Sequence, residues 1–199
     1  MKTQILSILS VILVGSSACF AGGEYDKFHF GPRLGLTWSP SKDYAVQGDG
    51  QGNSVDGGRQ LGLSGGLEVR WNLSPGRLRL ALGADYIRTL GKEAKKDAPQ
   101  VNQDIIRGQL RLIIAGRANT EPGMYTWIGP TINRVHTNSS DLIPTAKETV
   151  YGGTVGIGTH RFYERSLAFY EFGAYYSKAT KLETKSGDLT LEVRMGWLF

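Results

Sequence analysis

Few residues in this chain have the types and spacing that catalysis or metal binding requires. The three histidines are His29, His136 and His160, and no two of them are separated by four residues, as a pair of metal ligands on one helix would be. The acidic residues of segment 39–58 stand between glycine-rich spacers, unlike the ligands of a calcium-binding loop. His136 is soon followed by two serines, but a serine needs a base held against it, and such a cluster is typical of a hydrated loop. We therefore predict no catalytic residue, no metal site and no cofactor.

The composition excludes further classes of site. The 199-residue chain contains one cysteine, which excludes a disulfide framework and a cysteine-based zinc site. Its 23 Lys and Arg residues outnumber 18 Asp and Glu residues, but they are scattered rather than clustered, so we predict no nucleic-acid partner. Glycine occurs 27 times without a Gly-x-y period, and there are only 7 prolines, which excludes collagen and a low-complexity chain.

The first residues have the features of an export signal. Lys2 precedes a mostly apolar run over residues 5–14, and small residues follow at 15–18. The run is much shorter than the roughly 20 residues that cross a membrane as a helix. We predict a signal peptide over residues 1–21, cleaved after Ala18 or Ala21, and one barrel domain over residues 22–199. Cys19 leaves a lipoprotein as an alternative, although Ser16 occupies the position where that peptidase prefers a large aliphatic residue.

Charged and apolar residues alternate along several segments of the chain after the predicted signal peptide. In segment 77–86 the even positions carry Leu, Leu, Leu, Ala and Tyr, and the odd positions carry Arg, Arg, Ala, Gly and Asp. Segments 61–72 and 106–117 follow the same rule. A two-residue period places the two sets on opposite faces of a β-strand.

Eight such segments alternate with connections of unequal length. The other five segments are 28–38, 125–136, 150–162, 167–178 and 189–199. Long connections (39–58, 91–102, 137–148 and 179–187) alternate with short ones (73–76, 118–123 and 163–166). An even strand number with tight turns at one end and long loops at the other is typical of an outer-membrane barrel. The predicted fold is all-β, an eight-stranded antiparallel up-and-down transmembrane β-barrel.

The polarity of the two faces separates this barrel from a soluble one. A lipocalin-like barrel keeps its apolar set inside and covers its outer face densely with Lys, Glu, Ser and Thr. Here the less apolar face is rich in glycine and carries a few charges, which suits the cramped interior of a small membrane barrel. We expect the apolar set to face lipid and the following charged residues to face the lumen: Arg33, Glu68, Arg70, Arg79, Asp85, Arg107, Arg111, Glu171, Glu192 and Arg194.

An eight-stranded lumen is only wide enough for side chains to fill it. These charges must therefore neutralise one another, and we predict a closed lumen held by a salt-bridge network. A narrow ion path along the same residues is the alternative, and conductance in planar bilayers separates the two.

Aromatic residues cluster near the predicted strand ends, as in the girdles that barrels place at membrane interfaces. If the N-terminus starts in the periplasm, the periplasmic rim carries Tyr25, Phe28, Phe30, Trp71, Tyr125, Trp127, Phe162, Tyr163, Trp197 and Phe199. The outer rim carries Trp38, Tyr86, Tyr175 and Tyr176.

The last predicted strand carries apolar residues at alternate positions, namely Leu191, Val193, Met195, Trp197 and Phe199. This pattern resembles the C-terminal sorting signal of bacterial outer-membrane proteins, which the barrel-assembly machinery reads. With the leader, the chain resembles the OmpA/OmpX-type family of small eight-stranded barrels over residues 25–199. The resemblance implies export to the outer membrane of a Gram-negative bacterium and a monomeric barrel.

A fainter resemblance concerns catalysis. Residues 175–179, Tyr-Tyr-Ser-Lys-Ala, resemble the His-x-Ser-x-Ala stretch of the lipid A 3-O-deacylases. Tyr175 stands where that family has its histidine base, and a phenol with a pKa near 10 does not replace it. A lipid-A-modifying enzyme therefore stays the alternative to a non-enzymatic barrel that serves membrane structure or surface interaction through four extracellular loops.

The second long connection carries Lys92, Lys95 and Lys96. In an outer-membrane barrel these lysines would lie close to the phosphates of lipopolysaccharide, so lipopolysaccharide and membrane lipids are the predicted partners.

Overall fold

The computed structural model describes residues 28–40, 43–45, 54–56, 58–73, 77–91, 101–115, 123–138, 145–163, 166–181, 183 and 187–199. Eight strands form a closed barrel, namely β1 (Phe28–Ser39), β4 (Gln60–Asn72), β5 (Leu78–Gly91), β6 (Asn102–Ala115), β7 (Gly123–Thr137), β8 (Ala146–Tyr163), β9 (Ser166–Lys178) and β10 (Gly187–Leu198). Two short strands, β2 (Asp43–Ala45) and β3 (Ser54–Asp56), pair with each other outside the barrel. No helix in the described part of the chain is long and apolar enough to cross a membrane.

The barrel strands pair in chain order, and every pairing is antiparallel. β1 closes the barrel by pairing with β4 on one side and β10 on the other. The eight segments expected from the alternation correspond to these eight strands, which confirms the predicted eight-stranded antiparallel barrel. We call the end that holds residues 73–76, 118–123 and 163–166 the short-turn end. The opposite end, which holds residues 39–58, 91–102, 137–148 and 179–187, is the long-loop end.

The strands are strongly tilted, as the pairing register shows. A row of paired residues that leaves β5 at Arg88 passes once around the barrel and returns to β5 at Leu78, ten residues away. The shear of the barrel is therefore ten for eight strands, which corresponds to a tilt of roughly 40°. The members between these two ends are Leu63, Leu36, Val193, Phe172, Ile157, Thr126 and Ile114.

The outer surface is apolar and the interior is charged. Leu112 and Val193 are 37% and 58% exposed, whereas Arg79 and Arg111 are fully buried. Neighbouring residues on one strand point to opposite faces, so this contrast assigns the apolar set to the outside. Transfer of so many exposed leucines and isoleucines into water would be unfavourable, at roughly 25 cal/mol for each Å² of apolar surface, and a lipid environment removes this cost.

Three strands continue beyond the segments of clear alternation. β5 runs past Tyr86 to Gly91 and β6 begins at Asn102, within one residue of the ends that the predicted connection 91–102 implies, and β8 begins at Ala146, before the predicted Val150. Polar residues interrupt the apolar face in these extensions, but ladder hydrogen bonds join backbone groups and do not require apolar side chains. The strands therefore continue beyond the apolar belt.

Candidate functional site

The lumen contains the largest group of buried charged side chains in the described structure. All ten charged residues expected there are buried, at no more than 4% exposure. Ion pairs connect nine of them into groups centred on four carboxylates.

Glu68 of β4 is the first centre. Its carboxylate accepts hydrogen bonds from Arg33 of β1, from Arg111 of β6, and from Arg70, whose Nε lies 2.5 Å from Oε1. Arg70 is two residues from Glu68 on the same face of β4, so the strand period itself brings this pair together. Three guanidinium groups on one buried carboxylate satisfy its acceptor capacity.

Glu171 of β9 is the second centre. It accepts from Arg70 Nη2 at 2.8 Å, from Arg111 Nη1 at 2.9 Å, from Arg194, and from the Tyr125 hydroxyl at 2.6 Å. Arg70 and Arg111 therefore bridge the two glutamates across the lumen. Such a network holds several strands in one arrangement.

Asp85 of β5 holds the other side of Arg33. The guanidinium donates from Nε and Nη2 to the two carboxylate oxygens, each at 2.6 Å, which is a bidentate pair. Gln109 Nε2 donates to the same carboxylate at 2.7 Å.

Glu192 of β10 lies closer to the long-loop end. It accepts from Arg107 Nη1 at 2.6 Å and from the Ser64 hydroxyl at 2.7 Å. Arg107 also donates from Nε to Asn133 Oδ1 at 3.3 Å, and its guanidinium lies 3.9 Å from the ring centroid of Tyr175. The charged layer therefore continues up to the ring of Tyr175.

The buried arginines outnumber the buried carboxylates, six to four, within the described strands. Aromatic faces stabilise cations through the ring quadrupole, and every one of the six except Arg33 has one nearby. The guanidinium-to-ring distances are 4.0 Å for Arg70 and Phe169, 3.9 Å for Arg107 and Tyr175, 5.1 Å for Arg111 and Trp127, 5.4 Å for Arg194 and Trp127, and 5.3 Å for Arg79 and Phe162.

This arrangement corrects part of the predicted aromatic girdles. Tyr125, Trp127 and Tyr175 were expected at the membrane rims, but they are at most 4% exposed and lie inside the barrel. Phe162 is also partly buried, packed on Leu167, Phe169 and Leu198. Trp127 alternates with Ile128 and Ile132, which face outward, so it lies on the opposite face of β7 from them.

Other aromatics remain on the outer surface. At the short-turn end Phe28 packs edge-on against Trp71, with ring centroids 5.8 Å apart, and Tyr163 stacks on Trp197 at 5.0 Å. Nearer the long-loop end the exposed rings are those of Trp38, Tyr86, Tyr176 and Tyr151, the last of which was not predicted. Tyr25 lies outside the described residues.

Apolar side chains fill the lumen near the short-turn end. One cluster consists of Ala81, Ile113, Ala115, Tyr125 and Trp127, and a second consists of Leu167, Phe169 and Leu198. The buried rings of His29 and His160 lie beside them, each within 6.2 Å of the ring of Phe162. Two of the three histidines therefore pack against aromatic rings in the plug at this end.

The weak catalytic candidates are not assembled into a reacting group. Tyr175 packs under Arg107, and its hydroxyl lies 3.5 Å from Gln109 Oε1. Ser177 is half-buried and lines a small cleft at the long-loop end together with Tyr175 and Asn133. His136 is half-buried on the outer face, and the serines at 139 and 140 lie outside the described residues. Among the described residues, no group of three His, Cys, Asp or Glu side chains is arranged to hold a metal ion.

The short strand β2 of the first long connection lies at the mouth of the barrel. Tyr44 of β2 is fully buried, accepts a hydrogen bond from Gln60 Nε2 at 2.7 Å, and clusters with Val101. Its backbone forms an isolated bridge with Glu183 of the last long connection. Three connections therefore meet above the lumen, a contact between distant segments that the local sequence pattern does not indicate.

The predicted sorting residues and lysines are placed as follows. Leu191 is half-buried, whereas Val193, Met195, Trp197 and Phe199 are exposed on the outer face. Phe199 also exchanges two backbone hydrogen bonds of 2.9 Å with Phe30. Lys92, Lys95 and Lys96, like the predicted signal peptide, lie outside the described residues.

Comparisons with known proteins identify the fold. No protein-family model matches the chain, and no curated protein is similar to it in sequence. Among solved structures, Neisserial surface protein A is 15% identical, with a TM-score of 0.58 over 87% of this chain and 96% of that one. The outer-membrane protein OprG from Pseudomonas aeruginosa is 12% identical, with a TM-score of 0.52 over 85% of this chain and 94% of that one. The chain therefore has the fold of small outer-membrane β-barrels.

Proposed function

We propose that this chain is a monomeric, non-enzymatic barrel of the bacterial outer membrane that serves membrane structure or surface interaction through its four long connections. One observation carries the proposal: charged residues such as Arg111 are buried and apolar residues such as Leu112 are exposed, which is the opposite of a water-soluble protein. A barrel with charges inside and leucine outside is stable only where its outer surface meets lipid.

The packing of the lumen argues for a closed barrel. Glu68 and Glu171 are joined by shared arginines, and the rings of Trp127 and Phe169 occupy the space toward the short-turn end. Breaking a buried ion pair costs about 3–5 kcal/mol, so opening a path through this network is unfavourable. Because side chains occupy the lumen, we expect polar groups that bind a partner to lie in the connections.

The environment of Tyr175 argues against lipid A hydrolysis. A general base must reach the proton of its nucleophile, and Tyr175 is instead buried under the Arg107 guanidinium. The contribution of this residue is to pack the lumen.

Lipopolysaccharide is the proposed partner at the cell surface. Lys92, Lys95 and Lys96 belong to a long connection, and in the outward orientation they would pair with lipopolysaccharide phosphates, each pair being individually weak. Unchanged lipopolysaccharide retention after replacing all three by Gln would remove this part of the proposal.

Two measurements test the proposal as a whole. Cell fractionation should recover the chain in the outer membrane, with faster migration of unboiled than of boiled samples in detergent gels. Recovery in the soluble periplasm with equal mobility would overturn the membrane assignment. Mass spectrometry of lipid A with and without the gene should show no difference, and a missing acyl chain or altered headgroup would favour the enzyme instead.

Orientation has its own test. Protease added to whole cells should cleave within residues 39–58 and spare residues 74–76. The opposite pattern would place the long-loop end in the periplasm.

A further inference from the structure

A row of polar side chains crosses the outer face of four neighbouring strands toward the long-loop end. Arg88 of β5 is paired with Asp104 of β6, Asp104 with His136 of β7, and His136 with Lys147 of β8. Arg134 belongs to the next row of β7, one alternate position closer to the middle of the barrel. Directly opposed side chains on neighbouring strands lie about 5 Å apart at Cβ, so these groups form one continuous patch.

The patch begins where the apolar belt ends. The next outward residue toward the middle of the barrel is Tyr86 beside Arg88 on β5 and Ile106 beside Asp104 on β6. On β8 it is Thr149 beside Lys147, followed by Tyr151. Exposed tyrosines mark the interface between hydrocarbon and headgroups. The cations therefore stand at headgroup depth on the outer wall of the barrel.

The patch has a positive balance. Arg88, Arg134 and Lys147 are exposed, whereas Asp104 is half-buried. Asp104 already accepts hydrogen bonds on both carboxylate oxygens, from the Tyr86 hydroxyl at 2.6 Å and from Asn138 Nδ2 at 3.3 Å. Arg88 also interacts electrostatically with Asp104, its register partner, so the three cations and this one carboxylate leave the patch with a net positive charge beside the membrane plane.

We propose that this patch, which we call the basic wall (Arg88, Arg134 and Lys147), binds the phosphate groups of lipid A in the outer leaflet. The inference rests on the proposed outer-membrane location and adds a binding surface on the strands to the proposed role of the connections. Arginine matches phosphate oxygens with two parallel donors, and lysine adds a point charge. The acyl chains of the same molecule would lie on exposed Ile106 and Ile132, directly next to the cations.

The test compares two variants of the full chain, purified in a neutral detergent. The wall variant is R88Q/R134Q/K147Q, and the control variant is R77Q/R161Q, which removes exposed cations at the short-turn end. The probes are bis-phosphorylated lipid A and the same lipid A after enzymatic dephosphorylation, titrated by native mass spectrometry. Each cation near an anionic surface adds to the attraction, so we expect the wall variant, which lacks three of them, to bind phosphorylated lipid A about tenfold or more weakly. The control variant should bind it as the unmodified chain does, and dephosphorylated lipid A should not distinguish the proteins.

Equal affinity of the wall variant and the unmodified chain for phosphorylated lipid A would overturn the inference. Loss of heat-modifiable migration in the wall variant would indicate misfolding. The single variants R88Q and K147Q then provide the comparison: each should fold and bind phosphorylated lipid A several-fold more weakly than the unmodified chain, and unchanged affinity of both folded variants would overturn the inference. Failure of the proposed function itself would appear separately, as recovery of the unmodified chain outside the outer membrane.

Discussion

Gly156 of β8 lies directly against the indole of Trp127 on the neighbouring strand β7. The two residues are register partners, and a Cβ atom added at Gly156 would lie 2.2 Å from Trp127 Cζ2 and 2.5 Å from the carbonyl oxygen of Phe172. Trp127 is 1% exposed, and a Cβ atom added at Gly173 of β9 would lie 2.9 Å from the same ring atom. The inward position of this tryptophan therefore depends on glycine.

The first prediction follows from this contact. Gly156→Ala should lower the free energy of unfolding by about 1–3 kcal/mol, because the added methyl group overpacks the lumen. Urea titration of the barrel refolded in lipid vesicles measures the change. Gly153→Ala on the same strand is the matched control, since the nearest atom to its added Cβ would be Gly129 O at 3.6 Å, an ordinary contact. Equal stability of the two variants would contradict the placement of Trp127.

The second prediction concerns Glu171. Glu171→Gln removes the charge that Arg70, Arg111 and Arg194 share, and it leaves buried guanidinium groups with less compensation. We expect a loss of about 3–5 kcal/mol in the free energy of unfolding, measured by the same urea titration. Asp104→Asn, at the half-exposed rim, should change it by less than about 1 kcal/mol. A Glu171→Gln variant as stable as the unmodified chain would mean that the network does not hold the barrel together.

The third prediction concerns ion flow. The refolded chain should produce no steady conductance in planar bilayers, because charged pairs and the aromatic plug occupy the lumen. A porin refolded by the same procedure serves as the positive control for insertion. Reproducible single-channel steps from the purified chain would instead support the narrow ion path.

The fourth prediction separates recognition from folding at the last strand. Phe199→Ser should reduce the amount of barrel assembled in cells, because the substitution alters the proposed sorting signal. The same variant should still fold into vesicles without any assembly machinery. Phe28→Ser removes an exposed aromatic at the short-turn end that packs on Trp71 rather than on a residue of the sorting signal, and it should assemble at the normal level. Normal cellular assembly of the Phe199→Ser variant would remove the sorting role.

The faces of the strands were predictable because alternation is a local property. The period of two assigns Leu78, Leu82 and Tyr86 to one face of β5 and Arg79 and Asp85 to the other, and the structure places them so. Alternation is a weaker guide near strand ends. On β5, Arg88 interrupts the apolar pattern of the outer face without interrupting the ladder, which continues to Gly91.

The aromatic residues show where local reasoning is insufficient. Tyr125 and Trp127 stand near a strand end, as girdle residues do, but they fill the lumen. Both faces of that part of β7 are apolar, with Met124 and Ile128 on the outside, so residue type alone does not separate the two sets. The room that Gly156 and Gly173 leave on β8 and β9 determines that the inside accepts a tryptophan.

By itself the sequence determined the eight strands, their antiparallel order and the side of the barrel on which each charged residue lies, because all three follow from period and connection length. Apart from the Glu68–Arg70 pair, which the period of one strand brings together, only the tertiary structure decided which arginine meets which carboxylate. Arg70 and Glu171 are 101 residues apart, and Arg33 and Asp85 are 52 apart. Such pairs meet across the lumen at heights set by closure of the barrel and its ten-residue shear, which is a property of all eight strands together and of no single segment.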